Sequence, residues 1–142
     1  MIILDTNVIS EAMRTRPDAS VAQWLYAQSP FELATTTINV AELKFGIARL
    51  TPGQRRADLE GRLDVLIGQG LLSHVFDFDA DAADAFGELA AARQRIGRSF
   101  VGFDGLIAAI AASRGLSIAT RDVRGFEGCG IEVINPWEPA AT

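Results

Sequence analysis

Residues 1–13 read Met-Ile-Ile-Leu-Asp-Thr-Asn-Val-Ile-Ser-Glu-Ala-Met: an apolar run of four that stops at Asp5 and passes at once into a helical pattern. A short apolar run bounded by a carboxylate has the length of a strand buried on both faces, and residues 6–13 have the spacing of a short helix. The same alternation continues outward from this stretch. Pro17-Asp18 starts a helix with Val21, Trp24 and Leu25 on one side, and residues 33–37 are β-prone. Residues 38–50 carry two apolar stripes, Ile38, Ala41, Phe45, Ala48 and Val40, Leu43, Ile47, Leu50, which predicts a helix packed on both sides. Thr51-Pro52 opens a helix with Leu59, Leu63, Leu66 and Ile67 in register, ended by Gly68 and Gly70. A brief strand at 74–76 precedes a long Ala-rich helix at 79–96, with Phe86, Leu89, Ala90 and Ile96 inward. Residues 103–113 form a helix led by Asp104 and closed by Gly115, strands follow at 116–120 and 131–134, and Pro136 ends the regular part. Strands alternating with helices predict an α/β fold of three layers, α/β/α, around a mostly parallel sheet of about five strands.

Length and composition bound what such a fold does. The chain has 142 residues, with no repeat, low-complexity tract or linker-like stretch, so residues 1–142 are expected to form a single domain. Hydrophobic residues make up 49% and charged residues 22%, too apolar for a disordered chain. The net charge of −5 argues against coating nucleic acid through bulk charge. It leaves open an enzyme that meets nucleic acid through a metal ion. One cysteine, Cys129, rules out an intramolecular disulfide and four-cysteine zinc sites. One histidine, His74, rules out every mechanism that needs two imidazoles. Carboxylates or hydroxyls are left to carry any chemistry. No stretch has the length of a membrane span or the form of a targeting signal, which sets a cytoplasmic expectation with no membrane partner.

In an open parallel sheet the ligand crevice lies beyond the carboxyl ends of the strands. Asp5 follows the first strand directly, Asp122 follows the strand at 116–120, Asp104 leads the helix that feeds that strand, and Glu42 lies one turn into the helix after the second strand. Four carboxylates from distant parts of the chain are thus expected at one crevice. Like charges so placed raise one another's pKa unless a cation compensates, and oxygen-only ligands suit a hard ion, Mg²⁺ or Mn²⁺. Each acid also has a plainer reading. Asp5-Thr6-Asn7 and Asp104 read as helix caps, Glu42 as a solvated helix charge and Asp122 as a turn residue. The combination carries the expectation.

Four motifs in order, I-I-L-D-T-N-V-I-S-E at the start, T-I-N-V-A-E-L-K-F-G at 37–46, F-D-G-L-I-A-A-I-A at 103–111 and A-T-R-D-V-R-G-F at 119–126, resemble those of the PIN-domain ribonucleases. The likeness is to the VapC-type toxins of bacterial toxin–antitoxin modules, in the FitB-like subgroup, and runs to about Trp137 within N-P-W. The resemblance implies a PIN-like fold and a metal-dependent endoribonuclease with Asp5, Glu42, Asp104 and Asp122 as its acidic quartet. Asp5 and Asp104 are then expected as direct ligands of Mg²⁺ or Mn²⁺. Glu42 and Asp122 act through waters or hold a second ion, and the hydroxyls of Thr6 and Thr120 orient the carboxylates. It further implies RNA as substrate, a VapB-like antitoxin as inhibitor and self-pairing into a homodimer or a toxin–antitoxin hetero-oligomer. Relatives often carry an acid near position 125, where this chain has Gly125.

Other features read as structure. Asp77, Asp79, Asp81 and Glu88 approach a calcium-loop pattern but lack its glycine, Ala82 standing there, so acids at a helix start are the better account. His74 reads as structural. Neither G-x-S-x-G nor a glycine-rich nucleotide loop occurs. Twelve of the 13 basic residues are arginine, and Arg14, Arg16, Arg49, Arg121 and Arg124 lie close in sequence to the acidic motifs, where they could hold an RNA backbone or form surface ion pairs. Phe100 and Phe103 read as packing beneath a helix, with base stacking as the alternative. The segment 55–62 reads as a solvated face. Val8, Ile9, Met13 and Trp24 are taken as exposed apolar residues suited to an interface. Two competing functions remain at this stage: a non-catalytic binding module, and a phosphotransfer domain with Asp5 as nucleophile.

Overall fold

A computed structural model describes residues 1–68, 72 and 74–138. Five strands form one sheet, β1 (Ile2–Leu4), β2 (Leu33–Thr36), β3 (His74–Phe76), β4 (Ser117–Ala119) and β5 (Val133–Ile134), in the order β3-β2-β1-β4-β5. Every neighbouring pair is parallel, with Ile3 beside Ala34 on one side and Ile118 on the other. Successive side chains on a strand point to opposite faces, and here that alternation divides the core in two. Leu4 and Ala119 join Val8, Ile9, Val21, Leu43, Ile47 and Leu63 on one face. Ile3 and Ile118 join Ile107, Ala108, Ile110 and Phe126 on the other. The first cluster is covered by α1 (Thr6–Ala12), α2 (Ala19–Ala27), α3 (Thr37–Ala48) and α4 (Gln54–Gly68), the second by α5 (Ala80–Arg95) and α6 (Asp104–Arg114). The expected α/β/α layering and parallel sheet are both present.

The sheet order places the site. From β1 the chain moves outward through β2 and β3, then returns to pair β4 on the opposite side of β1. The order therefore reverses between β1 and β4, and a crevice opens at the carboxyl ends of those two strands. Asp5 and Thr120 stand there, each one residue past its strand.

Local chemistry explains most element boundaries. Asp18 caps α2 by accepting from the amides of Ser20 and Val21, and Asp79 caps α5 by accepting from Ala82 N at 2.9 Å. The acids at 77–81 thus open a helix, as read from the sequence. Gly115 closes α6 at φ 66°, a left-handed conformation that glycine adopts without strain. Thr36 ends β2 and caps α3, so the strand expected to reach Thr37 stops one residue sooner. Helix α4 begins at Gln54 and β5 at Val133, each later than the sequence reading placed them. The proposed stop at Gly70 lies outside the described residues.

Three packing expectations are corrected. Val8, Ile9 and Met13 are not an exposed surface: they are 0%, 1% and 6% exposed, because α1 packs against α2 and α3 and turns these residues into the first cluster. Helix α3 packs along one stripe, while of the other only Ile38 packs, against the second cluster. Leu43 and Ile47 are buried, whereas Ala41, Phe45 and Ala48 face outward, with Phe45 66% exposed. Ile96 is 62% exposed, because α5 ends at Arg95 and the chain has already turned away from the core.

Candidate active site

Asp5 is the innermost of the four acids, 6% exposed, where β1 gives way to α1. Burial pushes its carboxyl above the usual carboxylate range, and three donors only partly offset this. Thr120 Oγ1 donates to Oδ2 at 2.7 Å, while Oδ1 accepts from the Thr6 amide at 2.8 Å and from Asn39 Nδ2 at 3.1 Å. Both oxygens are thus held, and the plane of the carboxylate is fixed.

Glu42 projects from the second turn of α3. Its Oε1 accepts from Thr6 Oγ1 at 3.0 Å, and partial burial together with the charge of Asp5 raises its pKa. Asp104 is the first residue of α6 and caps nothing: Phe103 occupies the cap position, and no side chain caps that helix. The capping alternative for Asp104 is therefore excluded. Its carboxyl is pushed up to about 6, first by burial and then by the charges of Asp5, Asp122 and Glu42. Asp122 is exposed, and its Oδ1 accepts from Gly125 N at 3.3 Å at the start of a 3-10 turn, Val123–Phe126.

The structure thus brings the four predicted acids to one place. Asp104 feels all three others, Glu42 feels Asp5, and Asp5 feels Asp122. Gly125 has a physical reason to be glycine. A Cβ there would lie 2.8 Å from Asp122 Oδ2 and 2.9 Å from Asp104 Oδ2, closer than real Cβ contacts. The two carboxylates occupy the space a side chain would need.

Among the described residues, none of the four acids is in an ion pair; the surface pairs Arg14–Glu11, Arg56–Glu60, Arg98–Glu127 and Arg114–Asp79 lie elsewhere. Nor do any three Asp, Glu, His or Cys side chains among those residues stand close enough together to hold one metal ion between them. An open cluster of hard oxygen donors, electrostatically strained and without a paired cation, fits Mg²⁺ or Mn²⁺, which keep several waters and take only one or two carboxylates directly. It does not fit zinc, which prefers nitrogen and sulfur donors.

Two contributors were missed from the sequence. Asn39 is fully buried and meets both Asp5 and Thr6, yet in the sequence it is one polar residue inside an apolar helix. Arg93, 5% exposed, donates through Nη1 to the carbonyls of Glu127 at 2.6 Å and Arg124 at 3.3 Å, lies 4.8 Å over the Phe100 ring and draws the Asp104 pKa downward. Burying an arginine against backbone carbonyls leaves no sequence signal. Phe100 packs beneath α6 as expected, since a Cβ on Gly105 would meet its ring at 2.7 Å, whereas Phe103 is 54% exposed and so does not pack beneath the helix. Arg14 pairs with Glu11 at 3.1 Å, Arg49 lies over Phe45 and Arg121 over Trp137. His74 stacks on Phe76, in β3 at the edge of the sheet. A groove of about 1010 Å³ leads away from Thr6 and Glu42 between α1, α3 and α4, floored by Met13, Leu43, Ile47 and Leu59.

Comparison with known proteins places this arrangement. The family model for the PIN domain matches residues 2–128. A relative named VapC ribonuclease Y4jK, from Sinorhizobium fredii, is 43% identical across 99% of this chain and 100% of its own. Toxin FitB of Neisseria gonorrhoeae is 35% identical across 96% and 99%. Among solved structures, a chain of FitAB bound to an IR36 DNA fragment superposes with a TM-score of 0.91 at 32% identity, covering 99% of both chains. The chain therefore belongs to the PIN-domain family, in the branch that holds VapC- and FitB-like proteins.

Proposed function

We propose that this protein is a metal-dependent endoribonuclease that hydrolyses RNA phosphodiester bonds in the cytoplasm as the toxin of a toxin–antitoxin module. The observation that carries the proposal is the convergence of Asp5, Glu42, Asp104 and Asp122 at the β1/β4 reversal with no paired cation among the described residues. The ribonuclease and toxin names of its relatives support the reaction class. Asp5 and Asp104 would hold Mg²⁺ or Mn²⁺ directly, with Glu42 and Asp122 reaching it through waters or a second ion. Bound there, the ion supplies charge to the phosphoryl oxygen and a more acidic water. The chain's own part is placement. Thr120, Thr6 and Asn39 hold Asp5 in one orientation, Thr6 holds Glu42, and the exposed Asp122 can accept a proton from an attacking water. An antitoxin that offers a cation to the four acids would compete with the metal for the same charge, and a homodimer is the proposed toxin unit.

Wild-type protein is expected to cleave RNA with Mg²⁺ or Mn²⁺ and to stop on addition of EDTA. Asp5→Asn is expected to lower cleavage at least about a hundredfold with the fold intact. Cleavage that survives both EDTA and this substitution overturns the proposal.

A further inference from the structure

We infer that Asn39 is the positioning residue that ties Asp5 and Glu42 into one ligand set, an inference that rests on the metal reading above. The argument is a count of protons. Thr36 Oγ1 accepts the Asn39 amide N–H at 3.1 Å, which leaves its own proton to donate to Asn39 Oδ1 at 2.6 Å. With the side-chain oxygen claimed, the Asn39 NH₂ group turns toward the site. One of its hydrogens goes to Asp5 Oδ1 at 3.1 Å and the other to Thr6 Oγ1 at 3.0 Å. Having accepted that bond, Thr6 spends its single hydroxyl proton on Glu42 Oε1 at 3.0 Å. A single direction of donation therefore runs from the start of α3 through Asn39 to both carboxylates.

A neutral carboxamide suits this place. An aliphatic residue donates nothing. A lysine or arginine would bring the positive charge that the metal is meant to supply, and an aspartate would add a fifth anion. The amide delivers two hydrogens and no net charge. Asn39 and Thr36 are both 0% exposed, so water has no room to substitute for a lost bond. Thr120 pins the opposite oxygen of Asp5 at 2.7 Å; without Asn39 the near oxygen would keep only the Thr6 backbone amide, and the Thr6 hydroxyl would lose the donor that directs its proton to Glu42.

The test is Mn²⁺ binding without RNA, read as the metal concentration that gives half the maximal rise in melting temperature. For Asn39→Leu that concentration is expected to rise about 10- to 100-fold, the usual cost of losing a group that orients a metal ligand. Asn39→Ser, smaller and able to admit a water, is expected to fold and to fall between wild type and Asn39→Leu, and it carries the test if the leucine variant does not fold. Leu63→Ala serves as the control for mere loosening, since Leu63 is buried in the α1–α4 cluster away from the acids. It is expected to lower the melting temperature and leave the half-saturating Mn²⁺ unchanged. Folded Asn39 variants that bind Mn²⁺ as wild type does, or a Leu63→Ala protein that weakens binding equally, overturn the inference alone. Wild-type protein that binds no Mn²⁺ overturns the metal reading and the inference with it.

Discussion

Asp104 holds a proton more readily in the folded protein than in the unfolded chain, because burial and three neighbouring carboxylates bring its carboxyl to about 6 from an ordinary 3.8. The folded state therefore binds more protons than the unfolded state between those two values, and stability must fall as pH rises through that window. The gap is worth at most about 3 kcal/mol, and partial solvent screening reduces it to about 1–2 kcal/mol. Asp5 and Glu42 are shifted in the same direction, so their contributions carry the same sign. Metal-free wild-type protein is expected to lose stability in urea melts as pH rises from about 4 to about 6, and to level off above. Asp104→Asn removes the main titrating group, so it should flatten that slope and make the metal-free protein more stable than wild type at pH 7. A variant that is less stable at pH 7 would show that Asp104 serves packing and not a charge awaiting a cation.

At the scale of elements, the loop after β4 matters as much as the helices, because Asp122 and Gly125 ride on it. Arg93 reaches across from α5 and fixes that loop through two carbonyls, at the expense of a buried Nε with no hydrogen-bond partner among the described residues. Hydrogen bonds from a charged donor contribute about 1.5–3 kcal/mol each, and one orphaned buried donor costs about 1–3 kcal/mol. The two bonds outweigh the single loss. Arg93→Met is therefore expected to destabilise the protein by about 2 kcal/mol in urea unfolding, and an unchanged or raised midpoint would show the clamp to be worth nothing. Element order, by contrast, is legible in the sequence. The apolar run at Met1–Leu4, the cap at Asp79 and the glycine at 115 each announce themselves by local chemistry. So do the four acids, because each sits just past a strand or near a helix start. Burial direction was not legible. Periodicity shows that α3 has two apolar stripes but not that Phe45 and Ala48 on one of them face outward, and it gives no sign that α1 is buried against α2 and α3. Asn39 was missed for the same reason: its partners Asp5 and Thr6 are far away in sequence, and only the fold supplies them.

For the molecule as a whole, the sheet reversal concentrates repulsion at one edge of an already acidic chain of net charge −5. A ligand that binds only the native state adds stability by mass action, about 2.7 kcal/mol at a hundred times its dissociation constant. For a chain of this length that is a rise of roughly 5–10 °C in melting temperature. Mn²⁺ at saturating concentration is expected to produce such a rise at pH 7.5, and Asp5→Asn to abolish it. The rise should also shrink on acidification. A carboxylate must give up its proton before it can bind a metal, and with Asp104 at about 6 that competition begins well above the range of an ordinary aspartate. Thermal melts with and without Mn²⁺ at pH 7.5 and pH 5.5 measure both effects at once. A shift of equal size at the two pH values would place the bound ion away from Asp104. A shift that persists in Asp5→Asn would place it away from the end of β1, and the acidic cluster would then have to be explained without a metal.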